Sequence, residues 1–518
     1  MLFNSHLFIF VFLPLTLIGF AFCRRRYSVD VSITWLVLCS LVFYGWWYPP
    51  YLALLIASVA FNYSIGKALI RLGESGEEAG RRSAKLLLAG GVTANLLAIG
   101  YFKYAGFVSD NVSALFGASP GTISIVLPLA ISFFTFQQIA YLIDCERSAA
   151  VSSGIQRYFL FVTFFPQLIA GPIVLFRDVM PQINVLGSRL SIASTAIPAL
   201  TFFSIGLFKK VVIADHLAVY SDLAFATANS TAITFSLLES WAAALTYSLQ
   251  LYFDFSGYSD MALGLALMFG IRLPFNFGSP YKASSIIEFW RRWHITLSRF
   301  LREYLYFPLG GNRKGTSRRH VNIMIVMLLG GLWHGAGWTF VIWGGVHGVL
   351  LVVNHLWRMW KQTNHSGRPT PRSAVLWRGL CVLMTFMAVS AAWVVFRAES
   401  TDAALRIYTG LIGFNGIVLP PQVGHLFGGP QNLDWLSFVS VAPTPLLKFE
   451  AVAWIFILLP VVWLMPNSQQ IVSALESKRE KFPHGRFVAP AIGVMAGIAF
   501  GVAVAGLGGS VQFLYFQF

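Results

Sequence analysis

Long apolar runs separated by short polar punctuation dominate the chain. Runs able to cross or enter roughly 30 Å of hydrocarbon fall at 7–22, 33–47, 51–69, 86–101, 123–143, 158–175, 197–207, 235–253, 261–271, 321–332, 338–356, 374–395, 451–464 and 488–507. They predict about eleven to fourteen hydrophobic helical segments. The short or Gly/Pro-broken ones are expected to re-enter or to line a cavity instead of spanning. The stretch 286–304 differs. Ile286, Phe289, Trp290, Trp293, Leu297, Phe300, Leu301 and Tyr304 recur at three and four, with Glu288, Arg291, Arg292, Arg299 and Arg302 largely on the other side. That spacing predicts an amphipathic helix. Its Glu288–Arg292 and Arg299–Glu303 pairs stand at i,i+4 and offset part of the cost of holding arginines near a low-dielectric wall.

Composition turns this pattern into a class. With 56% hydrophobic and only 11% charged residues, and a mean hydropathy of +0.67, the chain lies far outside the range of soluble domains. The fold expected is an all-α polytopic membrane protein. Arg24, Arg25 and Arg26 after the first run, and Lys67, Arg71, Arg81, Arg82 and Lys85 around the third-to-fourth connection, mark cytoplasmic loops. The stretches 47–50 and 104–122 carry no Lys or Arg and suit the other side, which places the N-terminus outside. The first run then reads as a retained anchor, because its positive charge follows the apolar stretch.

The net charge of +16 does not point to nucleic acid. It gathers in 282–319 and 358–378, where a cytoplasmic surface against anionic lipid accounts for much of it. In the first cluster the charges are interleaved with aromatics and histidine, which invites a chemical reading. Cys23, Cys39, Cys145 and Cys381 show no metal spacing. Cys23, beside the basic run, reads as a small buried residue or as an acylation site. No Walker or dinucleotide fingerprint is present, so nucleotide hydrolysis is not indicated. A polar break at 361–372 and a less hydrophobic excursion at 399–450, containing the PPQVGH stretch 420–425, interrupt the apolar pattern. The excursion is expected to be an extramembrane loop with short helices, and its length suits a docking surface.

Two tryptophan-flanked histidines are the chemical candidates. His294 lies one turn after Trp290, on the flank of the apolar stripe. It is read either as a structural hydrogen-bonding histidine or as one aimed into a cavity. His334 sits in an apolar, glycine-rich stretch with Gly330, Gly331, Gly335 and Gly337 around it. Those glycines permit close approach of another backbone and loosen the helix. An imidazole held neutral in such a pocket suits a general base for a hydroxyl; packing between helices against a carbonyl is the alternative. His347, thirteen residues further, is rotated about 220° on a continuous ideal helix and reads as structural. Asp254 and Asp260 punctuate two apolar segments. They either face a cavity from a broken helix or cap helices at a membrane boundary.

These residues resemble the membrane-bound O-acyltransferases, and within them the bacterial alginate O-acetyltransferase branch. The resemblance covers roughly residues 1–400. It is carried by LPLAISFFTFQ at 127–137, FPQLIAGPI at 165–173, FKKVVIAD at 208–215, YFDFSGYSDM at 252–261, EFWRRWH at 288–294, LGGNR at 309–313 and GLWHG at 331–335. It implies a transmembrane acyltransferase core over 1–400, built around a central tunnel; beyond that the resemblance fades, and the hydropathy pattern alone reads 401–518 as an extramembrane excursion plus two last membrane helices. His334 takes the position of the catalytic histidine and His294 that of the second active-site residue. Trp290, Arg291, Arg292, Trp293, Asn312, Arg313, Trp333 and Asp254 are the expected substrate- and donor-binding residues. The arginines, with Lys314, suit the phosphates of acetyl-CoA or an acidic carrier protein.

The activity implied is acetyl transfer from a cytoplasmic thioester, acetyl-CoA or another, across the bacterial inner membrane. The acceptor expected is an exopolysaccharide, with alginate favoured. No bound cofactor is implied, and the expected partners are periplasmic polysaccharide-modifying proteins and membrane lipids. D-alanyl transfer to a cell-wall polymer is the alternative within the class. A lipid or glycan flippase is the alternative outside it; that reading predicts internal repeats, which the sequence does not display.

Overall fold

In a computed structural model, all residues are described except 75–77, 120–124, 148–152, 187–191, 365–370, 420–438, 442–446, 482–487, 510–513 and 515–518. Helices make up nearly all of the regular structure, and the chain is a multi-pass membrane protein. Among the described residues, six helices are long and apolar enough to span: Phe8–Arg26, Pro50–Glu74, Glu78–Leu115, Thr195–Thr227, Trp338–Gln362 and Ala374–Arg397. Shorter apolar helices cover Val29–Gly45 and Pro490–Ala505. Their outward faces are apolar, with Leu97 68%, Leu376 76% and Met495 69% exposed. A surface of that kind is stable against lipid and not against water.

The chain divides into two units. The first comprises residues 1–208, 257–276 and 468–510. Its N-terminal helices are locked by Trp35, whose indole N–H donates to Thr16 O at 2.9 Å. Helices Pro50–Glu74 and Glu78–Ile99 are joined by Asn62 and Asn95, which exchange amide hydrogen bonds of 3.1 and 2.7 Å. Polar side chains used in this way hold helices together where lipid supplies no hydrophobic drive. At Gly206 an added Cβ would lie 2.5 Å from Gly257 O, so two backbones meet there.

The second unit comprises 209–256, 277–467 and 511–518. Its centre is a hairpin of helices Gly315–His334 and Trp338–Asn364, turned at Gly335–Gly337. A Cβ on Gly331 would lie 2.2 Å from Phe340 O, and one on Gly344 2.2 Å from Met327 O. The close approach expected of the glycine run is therefore made within this hairpin. Helix Pro371–Arg397 packs against it and buries Val389, Trp393 and Phe396. In the excursion, helix Thr401–Leu411 is capped by Ser400, and strand Ile417–Leu419 pairs in parallel with Val439–Val441. The stretch 420–425 lies outside the described residues.

Three expectations change. The runs 235–253 and 261–271 are not separate segments but parts of one 32-residue helix, Leu237–Met268. Asp254 and Asp260 thus stand inside a continuous helix and not at a break between two segments; Asp260 accepts from the hydroxyl of Ser468, the first residue of helix Ser468–Lys481, at 2.8 Å. The amphipathic segment is not one helix either: Ile286–Arg292 ends at Trp293, a new helix Ile295–Leu301 begins after His294, and Arg302–Tyr306 winds into a π turn. Third, His334 and His347 do not share a helix, because the chain reverses at Gly335–Gly337.

Candidate active site

The local sequence explains the break at His294. Ser285 caps the first short helix by accepting from Glu288 N–H at 3.2 Å. Glu288 in turn accepts from the Ser284 N–H and hydroxyl, each at 2.8 Å, and pairs with Arg292 at 2.7 Å. Burial alone would raise the Glu288 carboxyl, but the Ser284 bonds and Arg292 outweigh it and hold it below its ordinary value. Arg292 also donates to Gly278 O at 3.1 Å, while Gly278 N–H donates to Arg292 O at 2.9 Å. The helix end is thus clamped by a neighbouring strand of chain. His294 then takes φ 43, ψ 55, a left-handed conformation that costs a non-glycine residue on the order of 1–2 kcal/mol. Strain of that kind persists where the surroundings over-determine it.

That conformation drives the imidazole inward. His294 is 0% exposed, with its ring 4.8 Å edge-on from Phe255 and 6.1 Å from Trp333. Complete burial pushes it down to about 3, so it is neutral at neutral pH. His334 ends its helix against the open Gly335–Gly337 turn. It is boxed by Trp333 at 4.9 Å, Trp343 at 5.1 Å and Phe396 at 5.3 Å. The two histidines picked from the sequence therefore flank a single ring, that of Trp333.

The rings continue beyond this pair. Trp343 stacks on Trp393 at 5.3 Å and lies 4.8 Å from His347. The indole of Trp290 donates to His347 Nδ1 at 3.3 Å. Trp293 is buried against Phe277, Phe289 and Trp393. Each such pair adds about 0.5–1.5 kcal/mol beyond area burial, so the cluster is rigid and offers few polar atoms besides its histidine and indole nitrogens.

The expected binding residues separate into groups. Trp290, Trp293 and Trp333 belong to the ring cluster. Arg292 is held by Glu288 and Gly278. Arg291, Asn312 and Arg313 are exposed, Asn312 accepting from the Tyr306 hydroxyl. Asp254 belongs to another cluster altogether: Lys210 Nζ lies 2.7 Å from both Asp254 and Asp215, all three side chains being at least nine-tenths buried. Leu514 N–H donates to the second Asp254 oxygen at 3.2 Å.

Sequence reasoning passed over Lys210, Trp343, Trp393 and Phe396, and read His347 as structural. For Lys210 there was a signal, a cation inside an apolar segment within six residues of Asp215. For Trp393 and Phe396 there was none, because only packing brings that helix to the hairpin.

Comparison with known proteins agrees with the chemistry of such a site. A family model described as MBOAT, membrane-bound O-acyltransferase family, matches residues 146–396. A peptidoglycan O-acetyltransferase of Helicobacter pylori is 43% identical over 446 residues, 81% of each chain. A probable alginate O-acetylase AlgI of Azotobacter vinelandii is 42% identical over 419 residues, 80% of this chain and 78% of that one. A teichoic acid D-alanyltransferase of Streptococcus thermophilus is 27% identical over 301 residues, 54% of this chain and 71% of the other.

Proposed function

We propose that this chain, which belongs to the membrane-bound O-acyltransferase family, passes acetyl groups from a cytoplasmic thioester across the bacterial inner membrane. The acceptors are hydroxyls of an extracytoplasmic polysaccharide, and alginate is the first to test. The observation that carries the reading is the placement of His334 at a glycine-opened helix end, walled by Trp333, Trp343 and Phe396. A proton acceptor in a ring-lined, water-poor pocket is what ester formation from a thioester requires, because water there would hydrolyse the donor.

In this mechanism the acceptor hydroxyl attacks the thioester carbonyl while His334 takes its proton. Collapse of the tetrahedral adduct expels the thiolate, which recovers the proton from His334. His294, neutral and fixed across Trp333, positions a reactant. The exposed Arg291, Arg313 and Lys314 suit the phosphates of an acetyl-CoA donor or an acidic carrier. Where a periplasmic modifying protein supplies that hydroxyl in place of the polymer, it then carries the acetyl group on to the polysaccharide. A second acceptor, peptidoglycan, is favoured by the 43% identity with the Helicobacter protein.

The test is His334→Ala and His294→Ala at matched membrane expression, scored for alkali-labile acetate on alginate and on peptidoglycan isolated separately. Loss at His334 on one polymer, with partial loss at His294, is the expected result. Acetylation intact in His334→Ala would sink the reading and favour a transporter.

A further inference from the structure

Trp290 and His347 settle each other's hydrogens. An indole N–H only donates, and that of Trp290 points at His347 Nδ1 from 3.3 Å. Nδ1 therefore accepts, and the neutral ring carries its proton on Nε2. His347 is 0% exposed, and Trp343 1%. Neither His347 Nε2 nor Trp343 Nε1 has a hydrogen-bond partner among the described residues. Buried donors without acceptors are unfavourable and uncommon, and each one calls for a reason.

The surroundings supply none. Phe289 stacks on His347 and Trp393 tilts against it, and neither ring offers an oxygen. The ring of Trp343 bridges the two histidines, 4.8 Å from His347 and 5.1 Å from His334. Next to the proposed base there are thus two neutral N–H donors from which no described residue accepts. Such a lining matches a ligand atom that has lone pairs and gains negative charge.

We propose that His347 Nε2–H, together with the Nε1–H of Trp343 whose ring packs 4.8 Å from it, receives the carbonyl oxygen of the acyl thioester and stabilises the oxyanion formed during attack. The inference rests on His334 being the base. As the hydroxyl oxygen forms the new C–O bond, its proton passes to His334. The carbonyl π pair moves onto the oxygen held by the two N–H groups. Collapse restores the carbonyl, breaks the C–S bond, and the departing thiolate takes the proton from His334. His347 neither gains nor loses a proton. Trp290 is a positioning residue that holds His347 in the tautomer this role requires.

The test sets His347→Phe against His347→Gln. Phenylalanine keeps the ring and drops the N–H; glutamine drops the ring and returns an amide N–H at about the same reach. Initial rates of alkali-labile acetate formation on cell-envelope polysaccharide are compared at matched membrane levels, with His334→Ala as the control. Expected are a loss of about 100-fold or more in His347→Phe, as for removal of an oxyanion donor, and a rate within about tenfold of the parent in His347→Gln. A packing role gives the opposite order. Trp290→Phe, which frees the tautomer, is expected to lose about tenfold, and decides the matter if His347→Phe does not accumulate; full activity there overturns the proposal. Parent-like rates in His347→Phe with an inactive His334→Ala overturn this inference alone. An active His334→Ala overturns the base assignment and its consequence together.

Discussion

Two buried polar clusters in the second unit solve the same problem in opposite ways. Around Lys210, two carboxylates meet one ammonium at 2.7 Å each, and a backbone N–H satisfies a further oxygen. Around His334 and His347 the partners are rings and nitrogen atoms. Ions taken out of water are tolerated when they neutralise one another, and breaking such a set costs far more than its presence contributes. The ion cluster has spent its polar capacity on the fold. The ring cluster keeps nitrogen capacity in reserve, which is what a site for a polar reactant needs.

The contrast breaks most sharply at Lys210. Lys210→Met strands two buried carboxylates and should destabilise the protein by about 3–5 kcal/mol. Heat-induced loss of monodisperse protein in detergent reads this out. Adding Asp215→Asn and Asp254→Asn should recover most of the loss, and no recovery would mean that Lys210 acts by some other route. His334→Gln, in contrast, should abolish acyl transfer with a stability change of only about 1 kcal/mol.

Next in size is Gly344→Val, which forces a side chain against Met327 O in the hairpin. A cost of about 1–3 kcal/mol is expected from overpacking, together with reduced transfer as His334 and His347 shift apart. Unchanged activity in a folded Gly344→Val protein would show that the hairpin spacing does not set the site.

Acid provides a third measurement. The His294 imidazole binds its proton near 6.5 when unfolded and only near 3 in the fold. Below 6.5 the unfolded chain therefore takes up a proton that the native state refuses. Its contribution is complete above 6.5 and declines as pH falls toward 3, by up to about 1.4 kcal/mol per unit. His294→Asn should flatten that part of the stability profile, and an unaltered slope would contradict the burial. The smallest effect belongs to the half-exposed Arg299–Glu303 pair: Glu303→Gln should change stability by no more than about 0.5 kcal/mol and leave transfer intact.

Much of this organisation was legible in the residues because it is local. The i,i+4 pairs Glu288–Arg292 and Arg299–Glu303 formed as their spacing required. The glycines around His334 opened the helix end and let the hairpin close. What misled was the assumption of continuity. A 220° rotation between His334 and His347 has meaning on one helix only, and the chain turns back between them. Likewise, the 3.6-residue rhythm of 286–304 carries no mark of the turn at His294, where Gly278, from outside the segment, clamps Arg292.

The sequence by itself determined the membrane class, the apolar helices, the family and the pair His294 and His334, since hydropathy and short motifs act over a few residues. Only the tertiary structure decided that Trp333 stands between those histidines, that His347 is held in one tautomer by Trp290 fifty-seven positions away, and that Asp254 serves Lys210. Each of those facts depends on partners brought together by packing, and no period along the chain encodes them.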